Sequence, residues 1–530
     1  MKKKLFLKSE KIHSSIKLLE LFIEGKITCS DISKDVLDNK MQEEFRSVGW
    51  RMFLDILPVT HNIDENWRNI TNKNREEFGE LLKRDIYGEE SIMKYIRKEI
   101  TSEQLNLSKN LKDILDLIIL DVSRTFQEIS LFCSNGIKET LITLLYIWAK
   151  NNLDVGYIQG MNEILATMLY ALFPCNLTMI NYLSDLDSSE DLKEINECSE
   201  HQSKKFSITS NISNISNGFK ESPKKTINAK NDSINAVETK DNTEEKTGVF
   251  NIKNNIEKKI QKMKREKSYG GSFLRKSNVS LSKSEGLVKI NPIPEFKVLS
   301  SKQETENLKM KQARVQVAKL FFFLNSEEHF DADLYSIFKN VLDRCLKDLF
   351  NYSKQDRKSE FDFSDEYKLT ITLEQIQITD LSSIKKRIAA IFYYFLRQSN
   401  LSLFNHLIDK VDPFIFMFRW ILCVLNREIP LKNIIYIWDC IFVVENLDKK
   451  ASILNKTIPY GSLNFLDFIC VSMIDNIKDK LYSYDYDDST YILQMLMNYP
   501  DTVNYKDIIK TALKFRELHH DIITKDNEYI

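Results

Sequence analysis

Apolar residues recur along most of the chain with the period of an α-helix. Between residues 161 and 172 they occupy positions i, i+3, i+4, i+7 and i+8 without a miss, which is the pattern of a helix with one buried face. The same period runs through Leu111 to Phe126, Ile137 to Trp148, Ile384 to Phe395, Phe414 to Leu425, Leu431 to Phe442 and Phe465 to Ile477. Glycine accounts for only 13 of 530 residues, too few for the tight turns and phosphate loops of α/β enzymes. The sequence predicts an all-α fold.

The helical pattern is interrupted between residues 187 and 311. From His201 to Met310 there are 22 Lys or Arg and 12 Asp or Glu, with Ser, Asn and Thr filling much of the remainder. Such a segment buries too little apolar surface to offset its ordering entropy, so we expect a disordered basic insert. We favour a simple expansion of a surface loop, and the alternative is an electrostatic tether to anionic lipid or RNA. The predicted order is an N-terminal helical flank (1–40), a first lobe (41–186), the insert (187–311), a second lobe (312–500) and a C-terminal tail helix (501–530).

Charge and cysteine content argue against several classes of site. The 75 Lys and Arg nearly balance the 76 Asp and Glu, so the whole chain has no field that would steer polyanions. The insert has few aromatic residues for base stacking, and we expect no nucleic-acid partner. The eight Cys form no C-x-x-C pair, which argues against a zinc site or a disulfide framework. We expect a cytoplasmic protein with reduced thiols, no bound metal and no transmembrane segment.

Two local strings place charged residues in apolar helices. The first spans residues 45–58 and contains Arg46 and Trp50. The second contains Asp121 and Arg124, which are three residues apart and therefore neighbours on one helix face. A third string, a polar loop that leads into the periodic helix, reads Gly156-Tyr157-Ile158-Gln159-Gly160-Met161-Asn162-Glu163.

Taken singly, these residues have ordinary structural interpretations. Arg124 would pair with Asp121 or Glu128 on a helix surface, an interaction worth a few tenths of a kcal/mol. Gln159 would be a polar residue at a helix entry. Their order along the chain, R-x-x-x-W, then I-x-x-D-x-x-R, then Y-x-Q-G-M, is more specific than any one of them.

This order of motifs resembles the TBC domain, the catalytic module of Rab GTPase-activating proteins. The match continues at Trp67, Arg75, Asp333, Pro413, Arg419, Trp420, Arg427, Glu428, Trp438 and Asp439. The strings at 45–58, 121–128 and 493–500 look most like the subgroup of TBC domain family member five. The resemblance implies a two-lobed, all-α fold whose lobes are separated here by the insert.

The resemblance also implies a role for each matched residue. Arg124 takes the position of an arginine finger, which stabilises charge on the phosphoryl oxygens of bound GTP. Gln159 takes the position of a second finger, which orients the attacking water. The supporting positions are Asp121, Tyr157, Ile158 and Gly160 beside the fingers, and Arg46, Trp50, Trp420 and Asp439 as scaffold around the groove.

Two functions are compatible with this resemblance. The favoured one is an activator of Rab-family GTPases in their GTP form, acting on Rab-bound GTP and Mg, with no cofactor and no independent reaction of its own. The alternative is a catalytically silent TBC-fold scaffold that binds a Rab or a membrane coat. The presence of both finger residues favours the activator. The resemblance further implies a role in vesicle traffic, peripheral recruitment to endomembranes and an endosomal coat as a candidate partner.

Overall fold

The computed structural model describes residues 2–173, 301–350, 365–451, 463–483 and 488–528. Every regular element in these ranges is a helix, so the predicted all-α fold is confirmed for them. The predicted disordered insert lies outside the described residues as far as residue 300.

The first block of the fold is a succession of helices joined by short connections. Its helix α4 continues without a break through a π-helical turn, Lys83–Tyr87. The helices are α1 (Lys2–Ile23), α2 (Cys29–Leu37), α3 (Arg46–Phe53), α4 (Ile63–Leu82), α5 (Glu90–Ile96), α6 (Lys109–Arg124), α7 (Ser130–Cys133), α8 (Asn135–Asn151) and α9 (Met161–Leu172).

The second block has the same character. Two of its helices, α11 and α15, run on through π-helical turns at Leu342–Leu346 and Ala390–Leu396. Its helices are α10 (Ser301–Leu324), α11 (Phe330–Val341), α12 (Lys347–Phe350), α13 (Asp365–Thr370), α14 (Leu373–Gln377), α15 (Ser383–Ala389), α16 (Arg397–Ser399), α17 (Leu401–Leu407), α18 (Pro413–Leu422), α19 (Leu431–Ala451), α20 (Phe465–Asn476), α21 (Lys478–Tyr482), α22 (Ser489–Met497) and α23 (Tyr505–Glu528).

The two blocks share one hydrophobic core. Helix α19 packs against α2, α3 and α9 of the first block and against α20 and α23 of the second. All five tryptophans are buried, at residues 50, 67, 148, 420 and 438. Residues 1–218 and 304–530 belong to one compact unit. The second unit spans residues 219–303, of which the structure describes only the last three.

The first helix of the second block begins within the predicted insert. Helix α10 starts at Ser301, so the predicted end of the insert at residue 311 falls inside a helix. The first buried residue of α10 among those whose burial is described is Val315. The preceding stretch is rich in Lys, Glu and Gln, which favour helix without burying a face. It therefore carries no apolar period that would distinguish it from the insert.

The C-terminal tail is a helix, and its first half belongs to the core. Helix α23 packs along α20, and Ile508, Ile509 and Ala512 are almost completely buried. The core of the second block therefore extends past the predicted boundary at residue 500. Within the described ranges no helix is long and apolar enough to cross a membrane.

Candidate functional site

Arg124 is the last residue of α6, and its side chain projects into solvent. It is 55% exposed, whereas its partner Asp121 is fully buried. The guanidinium donates from Nη2 to Asp121 Oδ1 at 2.5 Å, which selects Asp121 over Glu128 as the predicted partner. The helix ends here because Thr125 is extended and Phe126 has φ 44°. The chain therefore turns away and leaves Arg124 at the exposed end of α6. The guanidinium is therefore open to solvent on the side away from Asp121.

Asp121 joins α6 to the loop formed by residues 152–160, which we call the Gln159 loop. Its Oδ2 accepts a hydrogen bond from the Tyr157 hydroxyl at 2.9 Å. Burial and the nearby Asp121 carboxylate raise the pKa of Tyr157, so this hydroxyl stays protonated and remains a donor. The buried carboxylate thus holds the arginine and the loop at the same time.

A further link runs through Asn162, which sequence reasoning did not single out. Its Oδ1 accepts from the Gly160 N–H at 3.1 Å, and its Nδ2 donates to Thr125 Oγ1 at 2.8 Å. The Thr125 hydroxyl in turn donates to the Asp121 carbonyl at 2.7 Å. The residue after Arg124 and the residue after Gln159 are therefore connected through one buried amide. The sequence offered one signal for this role, a polar Asn directly after the first apolar residue of the periodic helix. The structure shows that this Asn is buried.

Gln159 is exposed at the end of the loop, between half-buried Ile158 and buried Gly160. The Ile158 carbonyl accepts from the Met161 N–H at 3.1 Å, which closes the turn. Gly160 has φ 113°, a left-handed backbone conformation that residues other than glycine rarely adopt. A Cβ at this position would lie 2.9 Å from the Sγ of Cys423. Glycine is thus required here both by the backbone and by the second block.

Arg46 and Trp50 stabilise the fold away from this loop. In the described part of the chain, their side-chain hydrogen bonds go to Asp439 and not to the Gln159 loop. Arg46 Nε donates to both oxygens of Asp439 at 3.1 and 3.2 Å, and Trp50 Nε1 donates to Oδ1 at 2.6 Å. Burial raises the pKa of the Asp439 carboxyl, and Arg46 and Trp50 oppose that rise. Trp50 also packs edge-on against Phe442, with ring centroids 5.0 Å apart. These contacts join α3 to α19, the helix at the centre of the core.

Trp420 lies in the core of the second block. Its ring packs edge-on against Tyr499 with centroids 6.1 Å apart, and its backbone carbonyl accepts from the Leu425 N–H at 2.8 Å. It therefore supports the turn that follows α18, which lies against Gly160. Within the described ranges no group of three or more His, Cys, Asp or Glu is placed to hold a metal ion.

Comparison with known proteins gives one family. The family model of the Rab-GTPase-TBC domain matches residues 43–220 and 312–480. TBC1 domain family member 5 homolog A of Dictyostelium discoideum is 22% identical over 413 residues, which are 75% of this chain and 26% of that protein. TBC1 domain family member 5 of Homo sapiens is 23% identical over 185 residues, which are 33% of this chain and 23% of that protein. The chain thus spans about a quarter of the length of these relatives.

Among solved structures, the crystal structure of the Ypt/Rab-GAP domain of Gyp1p aligns over 93% of this chain and 94% of its own, at 14% identity and a TM-score of 0.46. The sequence relatives confirm the predicted similarity to the TBC domain and to its member-five subgroup. The two matched segments together make up more than half of the chain. The chain therefore belongs to the Rab-GTPase-TBC domain family.

Proposed function

We propose that the chain accelerates GTP hydrolysis by a Rab-family GTPase in its GTP form, with Arg124 and Gln159 as the two residues supplied in trans. The observation that carries the proposal is the pairing of two exposed side chains on one buried network. Arg124 and the Gln159 loop are both held by Asp121. Two flexible polar side chains on a rigid base are what a site needs when it must reach into the nucleotide pocket of another protein.

The chemistry follows from what a small GTPase lacks. Its hydrolysis is slow because charge that develops on the phosphoryl oxygens is poorly neutralised and the attacking water is poorly oriented. Arg124 would leave Asp121 and contact those oxygens with its planar, permanently charged guanidinium. The Gln159 amide would accept from and donate to the water, which sets the direction of attack. The chain supplies no cofactor, since GTP and Mg belong to the Rab.

The alternative is a scaffold that binds a Rab or a membrane coat without catalysis, and the exposed pair of finger residues weighs against it. Peripheral recruitment to endomembranes, a coat partner and a role in vesicle traffic belong to the proposal as the setting in which such an activator would act. The decisive experiment measures phosphate release from a panel of purified, GTP-loaded Rabs at rising concentrations of this chain. Acceleration of at least one Rab supports the proposal, whereas binding without acceleration of any Rab supports the scaffold.

Gln159→Ala is expected to lower the maximal stimulated rate about 100-fold, because the attacking water loses its orienting amide. The concentration of activator that gives half the maximal rate should change little. Single-turnover phosphate release at saturating activator measures the effect. Gln494→Ala, an exposed glutamine on α22, is the matched control and should retain the wild-type rate. A Gln159→Ala variant with wild-type rates would remove Gln159 from the mechanism.

The helix that carries Arg124 also presents two exposed leucines. Leu117 is 41% and Leu120 57% exposed, and spacings of seven and four residues place them on the face of Arg124. A GTPase whose nucleotide meets Arg124 must cover this face. Leu120→Gln is therefore expected to raise the half-maximal activator concentration about tenfold, with the maximal rate unchanged. Leu401→Gln is the matched control because Leu401 is equally exposed, at 57%, on α17 of the second block. Equal effects of the two substitutions would argue against an interface on α6.

A further inference from the structure

The segment of residues 423–428, between α18 and α19, contains an unusual turn, which we call the 423–428 turn. The Leu425 N–H donates to the Trp420 carbonyl at 2.8 Å, and the Val424 N–H donates to the Ile421 carbonyl at 3.2 Å. This pair of bonds is a Schellman motif, which ends a helix with a left-handed residue, usually glycine. Here that residue is Val424, with φ 47°, and Leu425 follows with φ 63°.

Two consecutive non-glycine residues in this conformation store strain, and a β-branched valine stores more than most. The surrounding structure holds them in place. Cys423, Val424 and Leu425 are at most 3% exposed, and Trp438 Nε1 donates to the Val424 carbonyl at 3.1 Å. Strain that persists because its surroundings enforce it is found most often beside functional sites.

The 423–428 turn contacts α9 and the glycine that precedes it at three successive points. Cys423 Sγ lies against Gly160, and Asn426 Oδ1 accepts from Thr167 Oγ1 at 2.8 Å. Glu163 lies between Gly160 and Thr167 along α9, and both of its carboxylate oxygens accept from Arg427 Nε, at 2.9 and 2.8 Å.

Spacings of three and four residues place the three contacted positions, 160, 163 and 167, on one face of the helix. The turn therefore packs against one side of the start of α9.

The Gln159 loop is thus held from two directions. On one side Tyr157 and Asn162 bond to Asp121 and Thr125 of the first block. On the other side the second block contacts Gly160 and Glu163 through the 423–428 turn. Gln159 lies between these two anchors, so the position of its amide depends on both.

We propose that the 423–428 turn, through Arg427, is a positioning element that sets the location of the Gln159 side chain for the reaction. This inference rests on the proposed function and deepens it. Arg427 is a positioning residue, and it acts by fixing Glu163 in the first turn of α9. Its side chain is 33% exposed and that of Glu163 is 16% exposed, so the pair is accessible to substitution without opening the core.

The first test is kinetic. Arg427→Ala is expected to lower the maximal stimulated rate about tenfold, with little change in the KM for the GTP-loaded Rab. Glu163→Gln should reproduce this loss, and Arg427→Lys should restore part of the rate. In a Gln159→Ala background, Arg427→Ala should have no further effect, because there is no amide left to misplace.

The control for this series is Arg97→Ala. Arg97 forms a comparable exposed pair with Glu139 at 3.1 Å, far along the chain from the turn, and its loss should leave both constants unchanged. A rise in KM for Arg427→Ala that Glu163→Gln does not reproduce would overturn the inference, because Arg427 would then contact the GTPase itself. An undiminished tenfold loss in the Gln159→Ala background would overturn it as well.

The second test does not require activity. Amide hydrogen exchange of the free chain should become faster at residues 158–164 in Arg427→Ala, while exchange in α8 stays unchanged. Unchanged exchange at 158–164 would overturn the inference whatever the kinetics show. If exchange responds as expected but the wild-type chain accelerates no Rab, the proposed function fails and the assignment of a role in that reaction to the turn falls with it. The two failures are therefore distinguishable.

Discussion

Arg124→Ala is expected to lower Rab-stimulated GTP hydrolysis by at least about 10³-fold, because an arginine supplied in trans contributes about 10³–10⁵ in rate. The guanidinium acts on charge that exists mainly in the transition state, so binding of the GTP-loaded Rab should be largely retained. Single-turnover phosphate release and equilibrium binding to a Rab loaded with a non-hydrolysable GTP analogue measure the two effects separately.

Removing Arg124 also takes the cationic partner from the buried Asp121, so loss of folding must be separated from loss of chemistry. Arg124→Lys keeps a positive charge beside Asp121 but cannot contact two oxygens with a planar group, and we expect it to be nearly as inactive as Arg124→Ala. Arg97→Ala serves as control, since Arg97 caps the end of α5 and pairs with an acid. A folded Arg124→Lys variant with the wild-type rate would contradict the arginine-finger role.

Asp439→Ala is expected to lower the free energy of unfolding by about 3–5 kcal/mol, the usual cost of removing one partner of a buried ion pair. The substitution leaves the Arg46 guanidinium, 11% exposed, without its carboxylate. It also leaves the fully buried Trp50 indole N–H without its acceptor. Asp439→Asn keeps an acceptor for Trp50 and should cost less.

Urea denaturation followed by tryptophan fluorescence measures the loss, since two of the five tryptophans, Trp50 and Trp438, pack with ring centroids 6.1 Å apart in this region. The control is Lys40→Ala, which removes an ion pair with Asp38 whose two side chains are each 62% exposed. That change should stay within about 0.5 kcal/mol of wild type. A loss below about 1 kcal/mol for Asp439→Ala would contradict this prediction, because it would mean that Arg46 and the Trp50 N–H find water or other partners once the carboxylate is gone.

The sequence alone predicted those features that depend on residues close together in the chain. Apolar period predicted the helices, and the spacing of Asp121 and Arg124 predicted their ion pair, because residues three apart on a helix must be neighbours. The motif order identified the family. None of these predictions required knowledge of how the two blocks meet.

The remaining features depend on contacts between distant segments, which no local pattern encodes. The bond from Trp50 to Asp439 joins residues 389 apart. The left-handed conformation of Val424 gives no sequence signal. Glycine is the usual residue at this position of a helix C-terminus, and here the surrounding core holds a valine in the same conformation. The start of α10 was not predicted because the first residues of this helix are rich in charge and carry no apolar period.

The central position of α19 has a consequence for how the chain is made. Helices α2, α3 and α9 pack on α19, so the first block completes its burial only when residues 431–451 are available. At about 5–20 residues per second, the ribosome needs about 20–80 s to synthesise the stretch between Trp50 and Asp439. During that interval the face of α3 that packs against α19 has no partner. We therefore expect newly made chains to depend on chaperones that shield early segments, and nascent chains stalled before residue 431 to be cleaved by added protease within α3, whereas full-length chains resist.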